Sequence, residues 1–153
     1  MSQALNLNTI LAQAGVKTDE ATGALTTPLH FSTTYQHPEF GQSTGYDYTR
    51  TKNPTRVSLE ETLAAIESAD YALATSSGMS AIVLAFSAFP VGSKVLAVRD
   101  LYGGSFRWFA QAEAEGRFAF TYANTEEELL NKLTEDIDIV YIETPTNPLM
   151  VEF

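Results

Sequence analysis

The sequence predicts an α/β fold built on a mostly parallel sheet. Beyond position 53, short runs rich in β-branched and aromatic residues alternate with helix-patterned segments. Each run is followed by Gly, Ser, Thr or Pro, and the intervals between runs suit the crossover helices of βαβ units.

Residues 1–52 read as an arm. A short helix over Leu5–Ala14 ends at Gly15, Thr26–Tyr35 is extended around Pro28, and His37–Thr51 is rich in Gly, Ser, Thr and Tyr. An arm without a hydrophobic centre of its own packs on the domain body or on a neighbouring subunit. Residues 53–153 form the regular body. Asn53 is a good N-cap and Pro54 a good first helical residue, and Leu59, Leu63 and Ile66 recur at the spacing of one helix face. A strand over Tyr71–Thr75 then leads through Ser-Ser-Gly into an apolar helix over Met79–Phe89, closed by Pro90. Lys94–Val98 is a second strand, Gly104 and Gly116 bracket a helix, and Phe118–Tyr122 is a third strand. Thr125 and Glu128 have the spacing of a capping box for a helix ending near Thr134. The run Ile137–Ile142 reads as a buried final strand.

Bulk properties exclude several classes of function. With 153 residues, 44% of them hydrophobic, the chain can bury a core. No run approaches the roughly 20 apolar residues of a membrane span. The start, Met1-Ser2-Gln3-Ala4, lacks a secretory pattern, so a cytoplasmic address is expected. Zero cysteines remove disulfides and thiolate chemistry. A net charge of −10 with scattered Lys and Arg disfavours nucleic acid, yet local amides and guanidinium groups can still hold a small phosphate. His30 and His37 lack metal-ligand spacing, and no metal site is expected.

Four segments carry chemistry. Ser76-Ser77-Gly78-Met79 lies between a strand and a helix, where free amides and the helix dipole favour an anion; the same residues also make an ordinary cap and tight turn. Tyr48-Thr49-Arg50 places a phenol and a guanidinium two residues apart, on one side of an extended segment, where both can clasp one phosphate. Tyr102, followed by Gly103 and Gly104, can lay its ring on a planar ligand or pack in the core, and Arg107 one turn later can meet a carboxylate or stay solvated. In Glu143-Thr144-Pro145-Thr146-Asn147-Pro148 two prolines stiffen a turn and aim the Asn147 amide. Parallel sheets bind ligands at the carboxyl ends of their strands, and three of the four segments follow predicted strands. The triplet Glu126-Glu127-Glu128 reads as a helix first turn rather than as catalysis.

In this order and at these separations, the strings Gly45-Tyr46-Asp47-Tyr48-Thr49-Arg50, Asn53-Pro54-Thr55-Arg56, Ser77-Gly78-Met79, Leu101-Tyr102-Gly103-Gly104 and Glu143–Pro148 resemble the cysteine and methionine (trans-sulfuration) family of pyridoxal phosphate enzymes. The resemblance spans nearly the whole chain. It implies an amino-terminal arm, residues 1–52, that contacts a neighbouring subunit, and in residues 53–153 the first half of a fold-type I, aspartate aminotransferase-like cofactor domain. It implies pyridoxal 5'-phosphate as cofactor and an amino acid as substrate. It also implies a homo-oligomer, a tetramer of dimers in the full-length parent, without nucleic-acid or membrane partners. Carried over by position, Ser77, Gly78 and Met79 would cradle the cofactor phosphate, and Tyr48 and Arg50 would reach it from a partner subunit. Tyr102 would stack on the ring and serve as the catalytic residue in proton transfer. Asn147 would bond the ring phenolate oxygen, and Arg107 would line the substrate carboxylate site. Thr51 and Lys52 depart from the arginine or glycine often found beside the Tyr-x-Arg pair.

The strings around Lys52-Asn53-Pro54 and Glu143–Met150 look most like cystathionine γ-synthases or O-acetylhomoserine sulfhydrylases, with cystathionine β-lyase and γ-lyase as alternatives. In the resembling family the anchoring lysine and the acid facing the ring nitrogen come later in the chain, and none of Lys17, Lys52, Lys94 and Lys132 stands in the anchoring context. The chain alone is therefore expected to be inactive, poorly stable or associated, with unpaired sheet edges. A non-catalytic phosphate-binding or homologue-pairing fragment is the alternative of another class.

Overall fold

Residues 6–16 and 18–153 are described by a computed structural model, and the chain divides into two units, Met1–Ala74 and Thr75–Phe153. In the first unit, helix α1 (Leu7–Ala12) starts where Asn6 Oδ1 accepts the Asn8 amide at 2.9 Å. The sequence places this helix over Leu5–Ala14; Leu5 lies outside the described residues, and α1 ends two residues earlier than expected. Helix α2 (Pro54–Ile66) begins as its sequence predicts, with Asn53 Oδ1 accepting the Thr55 amide at 2.8 Å. Asn53 is buried, and its Nδ2 donates to the His30 carbonyl at 3.0 Å and to Thr49 Oγ1 at 3.1 Å, so one cap residue ties three segments together. The extended stretch after Thr26 forms only isolated antiparallel bridges, Val16 with Thr26 and Thr34 with Tyr48.

The second unit holds helix α3 (Gly78–Phe86), strand β1 (Ser93–Val98), helix α4 (Gly103–Ala114), strand β2 (Phe118–Ala123), helix α5 (Glu126–Lys132) and strand β3 (Ile139–Tyr141). The strands form one parallel sheet in the order β2-β1-β3. Val95 pairs with Phe120 and Ile139, and Ala97 with Tyr122 and Tyr141. Because β1 is central, Val95, Leu96, Ala97 and Val98 are all fully buried, which is why its sequence is continuously apolar rather than alternating. Phe86 is the hub of an aromatic cluster, with ring centroids 5.2 Å from Phe109, 5.3 Å from Phe118 and 5.9 Å from Tyr141.

Three expectations need correction. The strand over Tyr71–Thr75 does not form: no described segment offers it a ladder, and Tyr71 and Leu73 are exposed. A β-rich run without a partner stays irregular. The helix expected to reach Phe89 ends at Phe86, where Ser87 Oγ donates to the Leu84 carbonyl at 2.6 Å and the chain turns. The final strand shrinks from Ile137–Ile142 to Ile139–Tyr141, because only Val95–Ala97 of β1 face it in register. At α5 the Thr125 hydroxyl takes the Glu128 amide at 3.1 Å as a capping box requires, but the Glu128 carboxylate reaches the Asn124 amide at 3.0 Å, one residue before the cap.

Candidate functional site

The parallel order carries the ends of β1 and β3 to one edge of the sheet, next to the first turn of α3. There a cleft of about 460 Å³ is lined by Ser77, Gly78, Met79, Tyr102, Glu143 and Asn147, with Ser105 and Ile82 behind them. Five residues singled out in the sequence thus share one concavity.

Its floor is the start of α3. Ser77 is the N-cap in extended conformation, and its Oγ accepts the Ser80 amide at 3.1 Å. That bond satisfies the third amide of the helix, while helix geometry leaves those of Gly78 and Met79 without an intrahelical acceptor. Gly78 is exposed, and a Cβ placed on it meets no atom within 4 Å, so the helix start is open to a ligand at this residue. The positive end of a helix dipole beneath amides without intrahelical acceptors suits a phosphate dianion.

Tyr102 supplies one wall. It stands at the N-cap position of α4 without a side-chain cap, and it is 47% exposed, leaving a ring face for a planar ligand. Its ring lies over Gly104, where a Cβ would fall 2.4 Å from Tyr102 Cε1 and 3.1 Å from Met79 Sδ. Gly104 is therefore what permits the ring to lie there. The Tyr102 amide donates to Glu143 Oε2 at 2.8 Å. Glu143 Oε1 accepts from Ser105 Oγ at 3.0 Å and from the Tyr141 hydroxyl at 2.8 Å. Burial, reinforced by the neighbouring Glu143 carboxylate, pushes the Tyr141 phenol up to about 12, so it stays protonated as a donor. Asn147 is exposed on the opposite wall, in the turn after β3.

Arg107 does not line the cleft. It is exposed on α4 and folds back over the first turn of its own helix, with Nη1 3.3 Å from where a Cβ on Gly103 would sit. Tyr48 and Arg50 belong to the other unit. They are not two positions of an extended segment: Tyr48 ends a bridge, and its carbonyl accepts the Thr51 and Lys52 amides at 3.0 Å in a tight turn. That turn still joins the side chains, with Arg50 Nη2 donating to the Tyr48 hydroxyl at 2.7 Å. Among the described residues no lysine lines the cleft: Lys94 is paired with Asp136 at 2.5 Å and Lys132 with Glu128 at 3.3 Å, while Lys17 lies outside them. The space that Gly104 leaves for the Tyr102 ring is visible in the sequence, but Ser105 and Tyr141 are not marked there as site residues and Glu143 has no role; a carboxylate closing a strand ahead of a stiff turn is the signal that marks it.

The family described as Cys/Met metabolism PLP-dependent enzyme matches residues 8–152. The chain is 43% identical, over 99% of its length and 41% of the relative's, to a cystathionine gamma-synthase/O-acetylhomoserine (thiol)-lyase of Bacillus subtilis. It is 38% identical, over 93% of its length and 38% of the relative's, to a cystathionine gamma-lyase of Bacillus subtilis. A crystal structure of cystathionine gamma synthase from Xanthomonas oryzae pv. oryzae in complex with cystathionine superposes with a TM-score of 0.87 at 37% identity, covering 97% of this chain and 39% of that one. The chain thus spans about two fifths of the length of the relatives it matches.

Two measurements test this geometry. In Gly104→Ala the methyl should drive the Tyr102 ring away from α4 with little loss of stability, abolishing the nuclear Overhauser contacts between that ring and the residue 104 α-proton; retained contacts would refute the packing. For Tyr141 the folded pKa is raised, so the unfolded chain releases its proton first, and the stability present below pH 10 is lost as pH rises toward 12. Urea midpoints followed from pH 9 to 12 should fall less steeply in Tyr141→Phe than in the parent chain, the residual slope arising in part from Tyr122, which burial shifts the same way; identical slopes would show that Tyr141 is not shifted.

Proposed function

The chain belongs to the Cys/Met metabolism family of PLP-dependent enzymes, and from that premise we propose that it supplies the phosphate and ring-face side of the pyridoxal 5'-phosphate site in an enzyme of γ-replacement, a cystathionine γ-synthase or O-acetylhomoserine sulfhydrylase. The observation that carries the reading is the sharing of one cleft by Ser77, Gly78, Met79, Tyr102 and Asn147. The residues fit the group: helix-start amides without intrahelical acceptors for a dianion, a half-exposed tyrosine for a pyridine, and an exposed amide side chain for a ring oxygen. The higher identity to the synthase, 43% against 38% for the γ-lyase, favours replacement over elimination. Cystathionine γ-lyase and β-lyase chemistry remain the alternatives.

When bound, the cofactor supplies an electron sink for carbanion chemistry on an amino acid. In this reading the Gly78 and Met79 amides hold the phosphate and the Ser77 hydroxyl orders that helix turn. The Tyr102 ring covers one face of the pyridine, excludes water from it, and its hydroxyl exchanges a proton with the substrate. Asn147 donates to the phenolate oxygen and fixes the ring's rotation. The Arg107 side chain, exposed on α4, swings off the first turn of that helix to meet a substrate carboxylate. Tyr48 and Arg50, already joined, reach the phosphate of a neighbouring subunit in a homo-oligomer, with residues 1–52 as the arm that carries them. A cytoplasmic enzyme completes the reading; no described helix is long and apolar enough to cross a membrane.

A second reading is a non-catalytic module, favoured by a cleft that no lysine lines among the described residues. Either way the 153-residue chain holds the cofactor without covalent attachment and does not turn substrate over. Titrating the purified chain with pyridoxal 5'-phosphate and then adding borohydride should reveal saturable binding that dialysis reverses. A stable adduct at one lysine contradicts the non-covalent reading, and the absence of saturable binding contradicts the cofactor site.

A further inference from the structure

Two carboxylates, Glu143 in the cleft lining and Asp100 outside it, are each bound to the other's loop. Glu143 follows β3 but accepts from the β1 side, from the Tyr102 amide at 2.8 Å and Ser105 Oγ at 3.0 Å. Asp100 follows β1 but accepts from the β3 side, with Oδ2 taking Thr146 Oγ1 at 2.5 Å and the Leu149 amide at 3.2 Å. Thr146 is 1% exposed and closes its own turn, its Oγ1 accepting the Val151 amide at 2.9 Å and its amide donating to the Val151 carbonyl at 2.9 Å. The bonds therefore cross in both directions.

The sheet creates the need for such a device. Pairing between β1 and β3 ends at Ala97 with Tyr141, and from there nothing in the ladder sets the spacing of the two loops. Tyr102 lies five residues beyond Ala97, and Asn147 six beyond Tyr141. A carboxylate suits the task because it only accepts, on two oxygens, and can serve several donors at once. Glu143 serves three: Tyr102 N, Ser105 Oγ and the Tyr141 hydroxyl. Asparagine or glutamine in either place would set an N–H₂ among donors.

We propose that Asp100 and Glu143 are positioning residues that form a reciprocal clasp, holding the loop of Tyr102 and the loop of Asn147 at a fixed separation so that both face one ligand. The functional consequence rests on the cofactor reading above. The clasp itself is a property of the ligand-free chain and is testable without the cofactor.

Amide hydrogen exchange by NMR on the full 153-residue chain is the test, with the amide of Leu96 in the buried centre of β1 as the control for folding. Ser105→Ala, on the Glu143 side, should speed exchange at Leu149 across the cleft, and Thr146→Val, on the Asp100 side, should speed exchange at Tyr102. The change expected is about tenfold in each, the scale of one net hydrogen bond, with Leu96 unmoved. Thr146→Ser, which keeps the hydroxyl, should restore Tyr102 to the parent rate. Glu143→Ala and Asp100→Ala should exceed these effects; if either loses protection at Leu96, the two milder variants decide. Changes confined to the substituted side overturn the clasp. In parallel, Thr146→Val should weaken pyridoxal 5'-phosphate binding about tenfold and Thr146→Ser should restore it. Cross-loop effects in a chain that never binds the cofactor would uphold the clasp and reject the cofactor reading, whereas binding without cross-loop effects would reject the clasp alone.

Discussion

The second unit depends on the pairing of β1 with a parallel neighbour on each side. Parallel pairing sends every strand the same way, so the segments after β1 and β3 emerge at one edge, and crossover helices must return the chain along the sheet. Burial of β1 on both faces makes this register costly to change: a slip of one residue would exchange the faces that Val95 and Ala97 share with Phe120, Ile139, Tyr122 and Tyr141. The cleft is where that constraint stops. Beyond the last paired residues, side-chain hydrogen bonds rather than the ladder fix the backbone.

Charge follows the same division between general and local. A chain carrying −10 overall holds a cleft whose floor is a helix amino terminus. A surface field of one sign is weakened by salt within about 8 Å at physiological ionic strength, whereas amide groups in contact with a phosphate act at hydrogen-bond range. Glu143 at the cleft margin is not an unopposed negative charge, since three donors converge on it.

Much of this was legible in the sequence. Asn53, Ser77 and Thr125 announce helix starts because an N-cap is a local interaction, decided within three residues. The strand ends carrying Tyr102 and Asn147 announce a shared cleft because the parallel sheet supplies the rest of the geometry, whereas Ser77 joins it as the cap of α3 without the strand its sequence predicts. What escaped notice is non-local. Tyr71–Thr75 has the composition of a strand, but strandhood depends on a partner that composition cannot reveal. Ser105, Tyr141, Glu143, Asp100 and Thr146 are joined across 36 to 49 positions of chain, counting the Leu149 amide on Asp100, and no local pattern links them. Gly104, by contrast, is local: the sequence marks the glycines after Tyr102 as leaving space for its ring, and that ring lies 2.4 Å from a Cβ that Gly104 lacks.

Three chain segments, far apart in sequence, form one site for one ligand. A ¹H–¹⁵N titration of the chain with pyridoxal 5'-phosphate measures this most directly. The backbone amides of Gly78, Met79 and Tyr102 and the side-chain amide of Asn147 should shift together along curves with a single dissociation constant, while those of the α5 residues Leu129 and Leu130 stay still. Shifts at only one of the three segments, or different dissociation constants for the three, would contradict it.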